Sequence, residues 1–182
     1  MLLRFLFAIL GALRRPRIRV LDELRTSHRC WPVDCEANLH MNDGRYLTVG
    51  GVSRVALMMR IGLGPLFRAR GWRPVAGAAD VRYFREIRPF ARFSVRTRVA
   101  AWDEKYFYFE QLFELPGRPA PVLAARLLVR SLYRGPSGPV PTSEVLAALG
   151  FTGAAPEPDE ELRHWIVLSE IVRKRKERGG RG

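Results

Sequence analysis

The residues that most constrain this chain run from about 44 to 62. Tyr46, Leu47, Val49, Val52, Val55, Ala56, Met58, Met59 and Ile61 place apolar side chains around most of a helical circumference. A helix of that kind cannot lie on a surface and must be enclosed. Gly50 and Gly51 interrupt it at a cost of about 1 kcal/mol each relative to Ala, a cost that close approach to a sheet offsets. Ala76, Gly77, Ala78 and Ala79 are the expected small surface on a facing strand.

The enclosing sheet is read from what surrounds the helix. A strand is expected over 24–31. After the helix, residues 80–87 alternate, with Val81, Tyr83, Arg85 and Ile87 on one side. Residues 92–101 set Phe93, Val95, Thr97, Val99 and Ala101 against Arg92, Ser94, Arg96 and Arg98. Segments 105–115, rich in aromatics, and 122–133, rich in Val and Leu, continue the series. Alternation of period two marks half-buried strands. Asp103–Glu104 and the PGRPAP run at 116–121 mark turns short enough for an antiparallel meander. The expected class is α+β, with a long buried helix wrapped by an antiparallel sheet of about five strands. Beyond it, short helices are expected over 143–149 and 158–177. In the second, Leu162, Trp165, Ile166, Ser169 and Val172 form a packing face.

Charge separates the chain into regions. The 182 residues carry 31 basic and 18 acidic groups, a net +13 that first suggests nucleic acid or an anionic membrane. Residues 1–20 hold five arginines and no acid, and residues 171–182 hold six basic groups and Glu177. The span 21–170 is nearly balanced, with 20 basic and 17 acidic groups. A nucleic-acid binder would concentrate charge on its domain, so that class is set aside. The apolar run 1–13 followed by Arg14, Arg15, Arg17 and Arg19 is too short to span a bilayer but fits an interfacial anchor. The division expected is an N-terminal anchor over 1–19, a domain over 20–140, and a helical extension with a basic tail over 141–182. The location expected is the cytoplasm, peripheral on the membrane face where the anchor engages. The cluster Arg173–Lys176 reads as a solvated helix end, with phospholipid contact as the alternative. Cys30 and Cys35 are too few for a disulfide framework or a zinc site and read as structural thiols. No metal and no cofactor are expected.

Chemistry concentrates in the loop before the helix. Glu36, Asn38 and His40 alternate, so an extended loop would point them the same way. The carboxylate suits a nucleophile or general base, Asn38 a water-orienting or oxyanion donor, and His40 a proton shuttle. At the helix start, the backbone amides of Asp43 and Gly44 form the positive end of the helix dipole and can polarise a carbonyl oxygen. The plainer reading of the same residues is a hydrogen-bonded loop that caps a helix, with Asn42 or Asp43 as the cap.

The run Glu36-Ala37-Asn38-Leu39-His40-Met41-Asn42-Asp43-Gly44-Arg45-Tyr46 resembles the pattern D-x-N-x-H-(M/V)-N-N-x-x-Y of the hotdog-fold acyl thioesterases. Val81-Arg82-Tyr83, Arg88-Pro89-Phe90, Arg96-Thr97-Arg98, Trp102-Asp103-Glu104-Lys105, Tyr108 and Glu110-Gln111 follow in order and are similar to the THEM6-like branch of that family. A more distant resemblance is to 4-hydroxybenzoyl-CoA thioesterase. The resemblance covers about residues 20–150.

It implies a hotdog fold and hydrolysis of an acyl-CoA or acyl-carrier-protein thioester without a metal. It also implies a homodimer or dimer of dimers, with sheets side by side and sites at the subunit interface. It places the family's acidic residue at Glu36, where Asp is usual, and puts Asp43 where the pattern has a second Asn. Asn38 and His40 match positions that plant acyl-carrier-protein thioesterases use as catalytic groups. Arg45, Tyr46, Arg82, Arg85 and Arg88 are the candidate substrate-binding residues, the arginines for CoA phosphates. The alternatives are a non-catalytic acyl- or lipid-binding hotdog protein and a hotdog hydratase. The hydratase loop carries a Pro, and a further residue between Asn and His, that this chain lacks.

Overall fold

The computed structural model describes Leu6, residues 9–12 and residues 14–179. Its elements are β1 (Leu24–Arg29), a 3-10 turn (Pro32–Asp34), α1 (Asp43–Arg60), α2 (Leu63–Arg70), β2 (Arg73–Tyr83), β3 (Arg92–Trp102), β4 (Phe107–Leu115), β5 (Val122–Gly135), β6 (Gly138–Val140), α3 (Thr142–Ala148) and α4 (Glu160–Gly179). Six antiparallel strands form one sheet in the order β1-β3-β4-β5-β2, with β6 as a hairpin on β5. The α+β expectation holds.

Two expectations about the sheet need correction. Only β3, β4 and β5 are a meander; β2 pairs with β5 at the far side, so the 84–91 connection crosses the sheet to reach β3. The period-two pattern read over 80–87 therefore spans a strand end and a loop. Phe84 N and Arg85 N both donate to Ala124 O, which closes the strand there. The second concerns the glycines. The stretch Ala76–Ala79 lies on the edge strand β2 and is mostly exposed. The surface that meets the helix is instead on β4 and β5: a Cβ at Gly50 would stand 2.5 Å from Leu127 Cδ2 and 2.8 Å from Gln111 Oε1.

That contact joins helix and sheet by hydrogen bonds as well as by packing. Gln111 is fully buried, and its amide nitrogen donates to Gly50 O (2.9 Å) and Thr97 Oγ1 (3.0 Å). A buried amide left unpaired would cost about 1–3 kcal/mol, so this satisfied one is part of what fixes the helix position. Around it, Tyr46, Val49, Leu57 and Met58 of α1 share one core with Val95, Val99, Phe109, Phe113, Leu127 and Val129. At its far end α1 is capped by Ile61, and at Gly62, whose φ of 97° suits a residue without a Cβ, the chain bends by 87° into α2. Ile18 N donates to Arg60 O (3.0 Å) and Arg60 Nε to Pro16 O (2.8 Å), which ties the irregular segment before β1 to this end.

The outer face of the sheet is covered by α4. Leu162, Trp165 and Ile166 pack on Tyr106, Tyr108 and Leu128, while Val172, expected on the same face, is exposed. Arg126 joins Glu110 of β4 to Asp159 and Glu161, and Arg130 pairs with Glu170 at 3.1 Å. Among the described residues no single helix is long and apolar enough to cross a membrane.

The two helix glycines should respond oppositely to a methyl group. Gly50→Ala forces Leu127 or Gln111 aside and is expected to lower unfolding free energy by about 1–3 kcal/mol in a urea titration. Gly51→Ala meets only Arg54 Nη2, at 3.8 Å, and is expected to be neutral or stabilising by about 0.5–1 kcal/mol.

Candidate functional site

The loop between β1 and α1 is a closed turn, not an extended segment. Leu39 N donates to Glu36 O (3.0 Å), Glu36 N donates to His40 O (3.1 Å), and Leu39 takes a φ of 59°. Cys35 and Met41 bridge its base, and Met41 N donates to Ile87 O at 2.8 Å. The closure, rather than alternation, brings Glu36 and His40 together: His40 Nε2 lies 3.4 Å from Glu36 Oε1. Asn38 sits exposed at the tip of the turn and forms no hydrogen bond to either, so the three-residue cluster expected from spacing is a pair.

The residue that completes the arrangement is Asn42. Its Nδ2 donates to Glu36 Oε2 (3.1 Å), and its Oδ1 accepts from Gly44 N (3.0 Å) as the N-cap of α1. One amide thus fixes the carboxylate relative to the helix start. Asn42 was legible as a cap; its second bond depends on the turn bringing Glu36 back, which spacing does not show. The cap occupies the Gly44 amide, and Arg45 N donates to Asn42 O. The Asp43 amide therefore remains as the first-turn donor that makes no hydrogen bond among the described residues, at the positive end of the helix dipole.

Beside it lies a cavity of about 250 Å³ lined by His40, Met41, Asp43, Tyr46, Tyr83, Phe84, Arg85 and Glu86. Tyr46 is buried below it, edge-on to Tyr83 with ring centroids 4.9 Å apart, and burial raises the Tyr46 hydroxyl above its usual pKa.

The arginines separate. Arg85 lines this cavity. Arg88 lies on a neighbouring surface, 3.7 Å from Glu86. Arg45 Nη2 donates to Val33 O (3.1 Å), with Nε 3.8 Å from the buried Asp34, so it clamps the loop rather than facing the cavity. Arg82 is held by Glu161 of α4 (2.9 Å). Cys30 and Cys35 stand with their sulfurs 3.4 Å apart and unbridged. Among the described residues no group of three or more His, Cys, Asp or Glu side chains is placed to hold a metal ion.

A buried helix on a curled antiparallel sheet is the arrangement of the hotdog fold. Residues 30–166 match the model of the thioesterase-like superfamily, and the chain belongs to that family. It is similar to protein THEM6 of Xenopus laevis, 32% identical over 169 residues, 92% of this chain and 79% of that protein. Protein THEM6 of Danio rerio is 35% identical over 133 residues, 73% of this chain and 63% of that protein. The fold matches a crystal structure of a 4-hydroxybenzoyl-CoA thioesterase variant complexed with 4-hydroxybenzoyl-CoA, at a TM-score of 0.64 and 12% identity. That match covers 70% of this chain and 97% of the other.

Asn42→Ala removes both the cap and the Glu36 bond and is expected to cost about 1 kcal/mol in chemical denaturation. Asn42→Ser, which can still cap, should recover most of that loss.

Proposed function

We propose that Glu36, His40, Asn42 and the Asp43 amide carry out the reaction that family membership gives this chain, the hydrolysis of an acyl thioester to a free acid and a thiol. The observation that carries the assignment is the Glu36 carboxylate held by Asn42 at a capped helix start, with its neighbour His40 and the first helical residue Asp43 both lining one cavity. In this reading the thioester carbonyl lies in that cavity with its oxygen toward Asp43 N. Glu36 takes a proton from a water that attacks the carbonyl carbon. Negative charge on the carbonyl oxygen is stabilised by the Asp43 N–H and the helix dipole. The C–S bond then breaks, and the departing sulfur receives the proton from Glu36, with His40 as relay. Arg85 is placed for a carrier phosphate, as CoA would present. Arg45, Arg82 and Asn38 carry no step, since the first two are engaged elsewhere and the third stands at the turn tip.

The site belongs to a homodimer in this reading. β2 ends the sheet as an eleven-residue strand whose outer edge pairs with no other strand among the described residues, a surface proteins seldom leave bare. A second copy pairing there extends the sheet, and a further pairing of such dimers is open to it. The N-terminal segment is proposed to rest on a membrane at its cytoplasmic face. Part of the 1–19 stretch lies outside the described residues, and support comes from exposed Leu6 and Leu10 followed by four arginines. The division at about residues 20 and 140 is proposed from the sequence, from the apolar and basic run before residue 20 and the Pro-rich stretch at 136–141.

Hydrolysis is read by trapping the released thiol across a panel of acyl-CoAs. Glu36→Ala is expected to lose activity by at least about 100-fold and His40→Ala to lose less, each remaining folded, while Asn38→Ala stays within about threefold. Wild-type turnover in folded Glu36→Ala would remove the proposed base. Deletion of residues 1–19 is expected to move the protein from pelleted anionic vesicles to the supernatant and to spare turnover.

A further inference from the structure

One face of α1 is not covered by the sheet. Asp43, Leu47, Gly51 and Arg54 follow at intervals of four, four and three, so they form one line down the helix. Leu47 is 43% exposed, Gly51 and Arg54 are half-buried, and Gly51 contributes no side chain to block the line. The line begins at the amide assigned to the carbonyl oxygen. It ends at a guanidinium, because Arg54 Nη2 lies 3.8 Å from where a Gly51 Cβ would be.

That guanidinium lacks what the arginines on the outer face of the sheet have. Arg96, Arg98, Arg126 and Arg130 on the outer face each pair with a carboxylate. Among the described residues Arg54 has only the neutral Gln111, whose Oε1 accepts from Nη1 at 2.6 Å, and Nη2 makes no hydrogen bond. Its position against Tyr133 and the sheet takes it out of water, and desolvation lowers its pKa to about 10. An arginine that loses hydration without gaining an anion destabilises the fold, and an anion that arrives later would offset that cost.

We propose that Arg54 is a specificity residue that binds a carboxylate at the far end of the acyl group. The substrate class is then a thioester of a dicarboxylic acid, laid along α1 from the Asp43 amide to Arg54. The inference rests on the hydrolytic reading of the Glu36 site. The distance suits it: eight residues from Asp43 to Gly51 span about 12 Å of helix axis, the scale of a medium-length acyl group. Leu47 supplies the apolar contact for the intervening methylenes. Gln111 holds the guanidinium through Nη1 and leaves Nη2 to donate a charge-assisted hydrogen bond.

The test compares CoA monothioesters of adipic, suberic and sebacic acids with hexanoyl-, octanoyl- and decanoyl-CoA, using the full chain. The expected result is a preference of about 10- to 100-fold in kcat/KM for a carboxylated member over its plain counterpart, as one charge-assisted hydrogen bond allows. Arg54→Met should bring that ratio close to one, mainly through KM, and Arg54→Lys should restore part of it. Equal rates on both series in the wild type would overturn the proposal while leaving the hydrolase reading intact. An unchanged ratio in Arg54→Met would also overturn it. If that variant additionally changes the native mass, the guanidinium pairs with a carboxylate of a second copy instead. Calorimetric binding of suberyl-CoA and octanoyl-CoA to Glu36→Gln separates the two claims. Tighter binding of the suberyl compound with no turnover by the wild type on any thioester would sustain Arg54 and reject hydrolysis.

Discussion

The contact between Gly50 and the inner face of β4 and β5 sets the geometry of the whole molecule. Without a side chain at that position, the helix backbone comes down onto Leu127 and Gln111, and Gln111 bonds it there. A helix axis held that close leaves no room for slippage. Its N-terminus, its exposed line and its half-buried arginine therefore all sit at fixed places relative to the sheet. The same glutamine binds the helix through Gly50 O and Arg54 through Nη1, so one buried amide connects the architecture to the proposed specificity group. Close packing makes such a contact sensitive to a single methyl group.

At the other end of the helix a second amide does comparable work. Asn42 satisfies one orphan donor of α1 and holds Glu36 with the remaining half of its side chain. The proposed catalytic arrangement thus reuses the cap that helix formation requires. Replacing the family's usual aspartate with Glu36 lengthens the side chain by one methylene. In the turn observed here that longer side chain reaches both Asn42 and His40. Asp43, which stands where the pattern has Asn, is proposed to act through its backbone amide, which any residue at that position would supply.

Much of this was legible in the sequence because it depended on local periodicity. The apolar circumference of 44–62, the alternation of Phe93 to Ala101 and the packing face from Leu162 to Ser169 in the last helix each follow from rules that act over a few residues. What was not legible depended on distant partners. Gly77 and its alanine neighbours look as suitable for close packing as any stretch of the chain, but the crossing of β2 to the far side of β5 puts them at an edge. The alternation ending at Ile87 ran past a strand end because Ala124 takes the amides of Phe84 and Arg85. Glu36 and His40 were found for the wrong geometric reason, since a turn and not a strand joins them. Asn42 was seen in only one of its two roles. The arginines could not be sorted by sequence, because Glu161 and Val33, which claim Arg82 and Arg45, lie on other elements. Arg54 gave no signal in a chain with so many arginines, and only its surroundings distinguish it.

The central claim is that the thioester is held by the start of α1 with its reacting carbon toward Glu36. A crystal structure of Glu36→Gln with an uncleaved acyl-CoA tests this most directly. The account predicts the carbonyl oxygen about 2.7–3.1 Å from Asp43 N, with the carbonyl carbon facing residue 36 and the acyl group running toward Gly51. A thioester bound elsewhere, or one whose carbonyl oxygen points away from the helix start, would contradict it.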